Sequence, residues 1–205
     1  MTPTTEATPG PSSAPAPGRW TALALIAAVQ ILAMSVWFSA SAVVPALRED
    51  WGISSADAAW LTGAVQVGFV LGAVASAILN LADRIPTALQ ISAGALGAAA
   101  TNAAVVLLDG IALALPLRVL TGAFLAAVYP PGMKLMATWF TRGRGLAIGV
   151  LVGALTLGSG SPHLIAALGD PPWQVVLTTG SALAITGAIV ILAVRDGPFG
   201  AATPP

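Results

Sequence analysis

Cysteine is absent from the 205-residue chain, histidine occurs once, at His163, and only 8% of the residues are charged. The first absence excludes disulfides and thiolate-held metal, and the second excludes a multi-histidine metal site. No metal and no cofactor are expected. The scarcity of charge says most. A soluble domain carries roughly 25% charged residues. With 57% hydrophobic residues and a mean hydropathy of +0.89, this chain cannot present a water-solvated surface, so the lipid bilayer is its first partner. The formal net charge is zero, and no basic, aromatic-laced patch points to nucleic acid.

What is present is a series of long apolar runs. A bilayer core needs about 20 apolar residues as helix. Charge-free runs of that order occupy 21–47, 58–82, 85–108, 145–169 and 171–194, and a further run, 111–133, is broken only by Arg118. None alternates as a barrel strand would. The pattern predicts an all-α membrane protein with six transmembrane helices in a bundle over 19–196. Residues 1–18, rich in Pro, Thr, Ala and Ser, read as a disordered cytoplasmic tail. Residues 197–205 read as the start of a central cytoplasmic loop or a tail. The Lys and Arg in the loops set the orientation. Arg19, Arg84, Lys134, Arg142, Arg144 and Arg195 fall on one side and only Arg48 on the other. Both termini are therefore expected inside, in the cytoplasmic (inner) membrane. Trp20, Trp51, Trp60, Trp139 and Trp173 fall near the expected interfaces.

Arg118 is the sharpest feature. A charge near the bilayer centre is costly, and Arg118 sits roughly 6 Å from the middle of its helix at 1.5 Å per residue. It must face a cavity or a partner. Two readings stay open: an arginine pinned to helix carbonyls, or one that handles substrate, anion or proton. Gly122 and Tyr129 share its helix face. On the first helix, Gln30 and Trp37 share a face, with Trp37 at the depth of Arg118, so a cation–π contact or a shared cavity wall is expected. Gln66 points away from a stripe of Gly68, Gly72 and Ser76 that is expected to pack. Gly145, Gly149 and Gly153, four apart, are expected to pack the fifth helix. His163 could line a cavity, bond within the helices or take part in proton coupling. Asp83 and Arg84, in a short turn, are expected to cap and pair locally. The double proline Pro130-Pro131 reads as the place where the fourth helix leaves the membrane. SAVVPAL near the end of helix 1 is echoed by AAVYPPG near the end of helix 4, which suggests a 3+3 inverted repeat.

Several features in this order resemble the N-terminal half of a major facilitator superfamily transporter. They are the six-span layout, Leu81-Ala82-Asp83-Arg84 between helices 2 and 3, Arg118-x-x-x-Gly122 in helix 4, Tyr129-Pro130-Pro131, the Trp139-Phe140 loop with Arg142 and Arg144, and the glycine-rich fifth helix. The likeness covers about residues 20–196. It implies secondary active transport of a small solute by alternating access, with or without H+. It implies a cytoplasmic gate motif at Asp83 and Arg84, and a coupling role for Arg118 and Gly122. The gate motif is degenerate: Leu79 and Pro86 stand where the family has glycine, and Thr87 and Ala88 where it has basic residues. The helix 5 antiporter motif is not matched, because Ser161 precedes Pro162. The resemblance further implies a second six-helix half, not contained in this chain, as partner, and Asp83 would find its counterpart there. An arginine with few carboxylates around it leans towards an anionic solute. Two other readings are a non-transporting scaffold or truncated product, and an intramembrane hydrolase using Ser159 or Ser161 with His163.

Overall fold

A computed structural model describes residues 16–169 and 171–200. The tail expected over 1–18 therefore lies outside the described residues except for Ala16–Gly18, and so do Asp170 and residues 201–205. Every regular element among the described residues is helical. In chain order these are α1 (Arg19–Met34), α2 (Val44–Trp51), α3 (Ser55–Ile78), α4 (Leu81–Arg84), α5 (Thr87–Ala104), α6 (Ile111–Leu125), α7 (Tyr129–Ala137), α8 (Arg144–Ala167) and α9 (Trp173–Val190). Five stretches are long and apolar enough to cross a membrane: Ser55–Ile78, Thr87–Leu107, Ile111–Ala137, Arg144–Ala167 and Trp173–Ala193. Arg19–Met34 is a shorter apolar helix.

Local chemistry explains where these helices start. Ser54 and Asp57 form a reciprocal capping box ahead of α3: Asp57 N–H donates to Ser54 Oγ at 3.2 Å, and Ser54 N–H donates to Asp57 Oδ2 at 3.1 Å. Gly143, at φ 75°, turns the chain into α8.

Two expected spans are not single helices. The run 21–47 stops being α-helical after Met34. Turns occupy residues 35–40, a 3₁₀ turn covers Ser41–Val43, and α2 begins on Val44-Pro45. The sixteen residues of α1 reach only about 24 Å, short of a ~30 Å hydrocarbon core, so the segment to Trp51 completes that crossing. The fourth span breaks at residues 126–128, and Pro130-Pro131 open α7 instead of ending the helix. The reason is general: a proline lacks the N–H that the first helical turn leaves unused anyway. Both breaks thus restart on proline, at Pro45 and at Pro130.

The packing follows the same two-part plan. Number the spans 1 to 6 as α1, α3, α5, α6–α7, α8 and α9. The main contacts then run from span 2 to 4, 4 to 3, 3 to 6, 6 to 1 and 1 to 5. Exchanging 1 with 4, 2 with 5 and 3 with 6 turns this path into its own reverse. A 3+3 inverted repeat has that property.

Close approach of backbones is confined to particular glycines. A methyl group on Gly68 would strike the Val119 carbonyl, one on Gly72 the Ala123 backbone, and one on Gly122 the Val65 carbonyl. These three lock span 2 onto span 4, as expected for small residues in lipid. On α8 the expectation for Gly145, Gly149 and Gly153 is corrected. A methyl group on any of them would meet nothing within 4 Å. Periodic spacing marks a smooth face but not which way it points, and here it points away from the rest of the bundle. The α8 glycine in contact is Gly158, which sits against the Ile31 backbone of α1.

Gly122→Ala should therefore lower stability in detergent by roughly 1–3 kcal/mol through overpacking. Gly149→Ala should stay within about 0.5 kcal/mol of the parent. Unfolding in mixed micelles measures both, and equal effects would contradict the assignment of faces.

Candidate functional site

Arg118 lies on α6 and is completely buried. Its guanidinium reaches three other segments: the break after α1, α3 and α5. Nη2 donates to the Trp37 carbonyl at 2.7 Å. Nη1 lies 2.7 Å from Asn102 Oδ1 and 3.3 Å from both the Val36 carbonyl and Ser39 Oγ. Nε reaches the Leu61 carbonyl of α3 at 3.5 Å. Every acceptor is a neutral oxygen. Val36 and Trp37 belong to the break after α1, where the helix no longer uses their carbonyls. The fixed fork of arginine suits several acceptors in one plane. Of the two readings of Arg118, the geometry is that of an arginine pinned to carbonyls.

Asn102 extends the clasp. Its Nδ2 donates to the Leu177 carbonyl and to Ser181 Oγ of α9, each at 3.0 Å, and Ser39 Oγ lies 2.6 Å from its Oδ1. Five of the six spans meet through Arg118 and Asn102. Ser39, Asn102 and Ser181 were not singled out from the sequence. The available signal was a lone carboxamide deep in an Ala-rich run, which in lipid has to find partners.

Gln30, fully buried, reaches the other break. Its Nε2 donates to the Val128 carbonyl at 3.3 Å, and its amide lies over Gly132. Its Oε1 is left without a partner.

Trp37 contributes its carbonyl, and not its ring, to Arg118, so the expected cation–π contact is replaced by a hydrogen bond. The half-buried ring instead packs on Phe69 of α3 at 5.0 Å and on Phe38 at 6.3 Å. Phe38 in turn faces His163 of α8 at 6.3 Å. A strip of rings, Phe69–Trp37–Phe38–His163, therefore crosses from span 2 to span 5 over the helix 1 break. His163 is exposed, and Gln66 is exposed on α3. Tyr129 is half-buried at the start of α7. Ser159 and Ser161 donate their hydroxyls to the carbonyls of Thr156 and Gly158, so neither is activated by His163.

At the basic end, Asp83 does not pair with Arg84. It meets Lys134 of α7 at 3.1 Å, and Lys134 also donates to the Ala82 carbonyl. Asp83 thus has a partner inside this chain. Both ends of the pair are substantially exposed, so it contributes at most about 1 kcal/mol.

The family model of the Major Facilitator Superfamily matches residues 26–205. The chain belongs to the Major Facilitator Superfamily. Among relatives of this superfamily protein is the tetracenomycin C resistance and export protein of Streptomyces glaucescens, 28% identical over 184 residues, a match covering 85% of this chain and 33% of that protein. The fold matches that of a bacterial homologue of the human lysosomal transporter Spinster, solved inward-facing and unoccupied. There the TM-score is 0.73 at 18% identity, over 92% of this chain and 46% of that one. The chain thus spans about a third to a half of the length of these superfamily members.

Arg118→Met should destabilise the superfamily bundle by roughly 3–5 kcal/mol, since it strands several buried acceptors at once. Asn102→Leu should act in the same direction. Denaturation in micelles checks this, and a loss below about 1 kcal/mol for Arg118→Met would show that the clasp does not hold the spans together.

Proposed function

We propose that this chain forms the N-terminal six-helix half of a secondary transporter of the cytoplasmic membrane, and that it moves a small organic solute by alternating access. A second six-helix half completes the solute path. The single observation that carries the reading is the strip Phe69–Trp37–Phe38–His163, seated on a helix break that Arg118 holds open. Broken backbone at membrane depth is tolerated where it is buried in protein or lines a cavity, and transporters place their binding sites at such breaks. Exposed Gln66 and His163 lie on otherwise apolar helices, α3 and α8, where contact with lipid would be unfavourable. They fit a face turned towards an aqueous path or the second half. The smooth glycine face of α8 offers that half a close contact.

For the solute, the strip favours aromatic or apolar surface. Arg118 is fully buried and each of its three nitrogens already donates to an oxygen of the bundle, so we do not assign it an anionic solute. The relative from Streptomyces glaucescens is by name an export protein, and export is the direction we adopt. The Lys134 and Arg142 end faces the cytoplasm in this reading. The bonding of Ser159 and Ser161 to helix carbonyls favours transport over hydrolysis. In this scheme Trp37, Gln66, Tyr129 and His163 face solute, Arg118 and Gln30 keep the two breaks in shape, and Asp83 with Lys134 ties the basic end.

Because cysteine is absent, single introduced cysteines report topology without background. Asp57→Cys should react with a membrane-impermeant maleimide in intact cells, and Arg142→Cys only after permeabilisation. The reverse pattern would overturn the orientation.

In an assembly with both halves, Trp37→Ala should reduce efflux of an aromatic dye about tenfold or more, with membrane insertion unchanged. Arg118→Ala should abolish it. Unaltered efflux with Trp37→Ala would remove the strip from the solute path.

A further inference from the structure

We propose that a wedge between α3, α5 and α7 at the basic end binds a phosphate ester that carries a hydroxyl, held by Gln90 and Lys134. The wedge has a structural cause. Spans 2 and 4 are pressed together at Gly68, Gly72 and Gly122. Below that level α6 ends at Leu125, and the chain turns aside before α7 sets off on its two prolines. Where the helices part, a cavity of about 230 Å³ remains, with Ala73, Ala126 and Pro131 among its apolar walls. One water needs only ~10–15 Å³, so the space suits a larger guest.

Gln90 lines this cavity and is 4% exposed, yet both its Oε1 and its Nε2 are buried without a hydrogen-bond partner. Buried polar side chains are rarely left so. An amide asks for a ligand that accepts one hydrogen bond and donates another. Lys134 lines the same cavity, and none of the lining residues is acidic. Two of its three N–H groups go to the Ala82 carbonyl and to Asp83, which leaves one for a guest. Gln90 also lies in the first turn of the eighteen-residue α5, where the helix dipole favours negative charge. A phosphate oxygen would take the Nε2 donor and the remaining ammonium N–H, and a hydroxyl on the same guest would donate to Oε1. A glycerophosphate unit has both groups. It occurs as a lipid headgroup and as a free small molecule.

The test uses the whole chain in mixed micelles and follows its melting temperature. Phosphatidylglycerol is titrated against phosphatidylcholine, and soluble glycerol 3-phosphate is titrated separately. A stabilising, saturable response to phosphatidylglycerol alone assigns the site to lipid, and one to glycerol 3-phosphate assigns it to a soluble ester. Either response should weaken about tenfold in Gln90→Met, the loss of a good hydrogen bond, and in Gln90→Glu, which repels phosphate without changing shape. Arg48→Gln, on α2 at the other side, should leave it in place. Two results would overturn the proposal: no preference for phosphatidylglycerol over phosphatidylcholine together with no response to glycerol 3-phosphate, or a response that Gln90→Met and Gln90→Glu both leave unchanged. The wedge would then hold water only.

Discussion

A broken helix in lipid releases carbonyls that no solvent can satisfy. This chain breaks two of its helices, after Met34 and after Leu125, and buried side chains of other spans reach into both breaks. The carbonyls of Val36 and Trp37 receive Arg118 from the fourth span. The carbonyl of Val128, which already accepts the Gly132 N–H that opens α7, receives Gln30 from the first as a second donor. Each broken helix is met at its break by a side chain of the other. The reciprocity accords with the inverted repeat, because spans 1 and 4 are the paired members of that repeat and approach each other near its axis.

The contact at the first break is also a way of burying charge. Arg118 meets no carboxylate. Its charge is spread over carbonyl, amide and hydroxyl dipoles supplied by three segments, with Asn102 passing the connection to α9. Buried ionic groups in such settings specify one arrangement more than they add net stability. Here the arrangement specified is the unwound stretch 35–40, and with it the placement of Trp37 and Phe38 on the aromatic strip. A lysine could not do the same, because a point charge on a flexible stem lacks the planar fork.

Glycine works in two senses in this bundle. Gly68, Gly72, Gly122 and Gly158 are consumed by contacts within the chain, and they lie on symmetry-related contacts, span 2 on 4 and span 5 on 1. Gly145, Gly149 and Gly153 are not consumed. The same spacing therefore serves an internal seam in one helix and an open face in another. The tight seam between spans 2 and 4 has a further effect: it ends abruptly at the break, so the helices splay and leave the wedge under Gln90.

Composition alone was sufficient for the membrane, the helical class and the count of crossings. Low charge and run length are direct consequences of the solvent a segment must live in, and they need no tertiary information. The isolated charge of Arg118, the prolines and the repeated SAVVPAL and AAVYPPG segments marked where the chain departs from regular helix. Which way each feature acts was a matter for the tertiary structure. Helical periodicity gives a face but no partner, so it could not tell the packed glycines of α3 from the unpacked ones of α8. It could not show that Pro130 begins a helix, that Asp83 reaches Lys134 and not Arg84, or that Trp37 meets Arg118 through its backbone. Those outcomes depend on residues distant in sequence that arrive together only when six spans close, because only then is it decided which carbonyl each buried donor can reach.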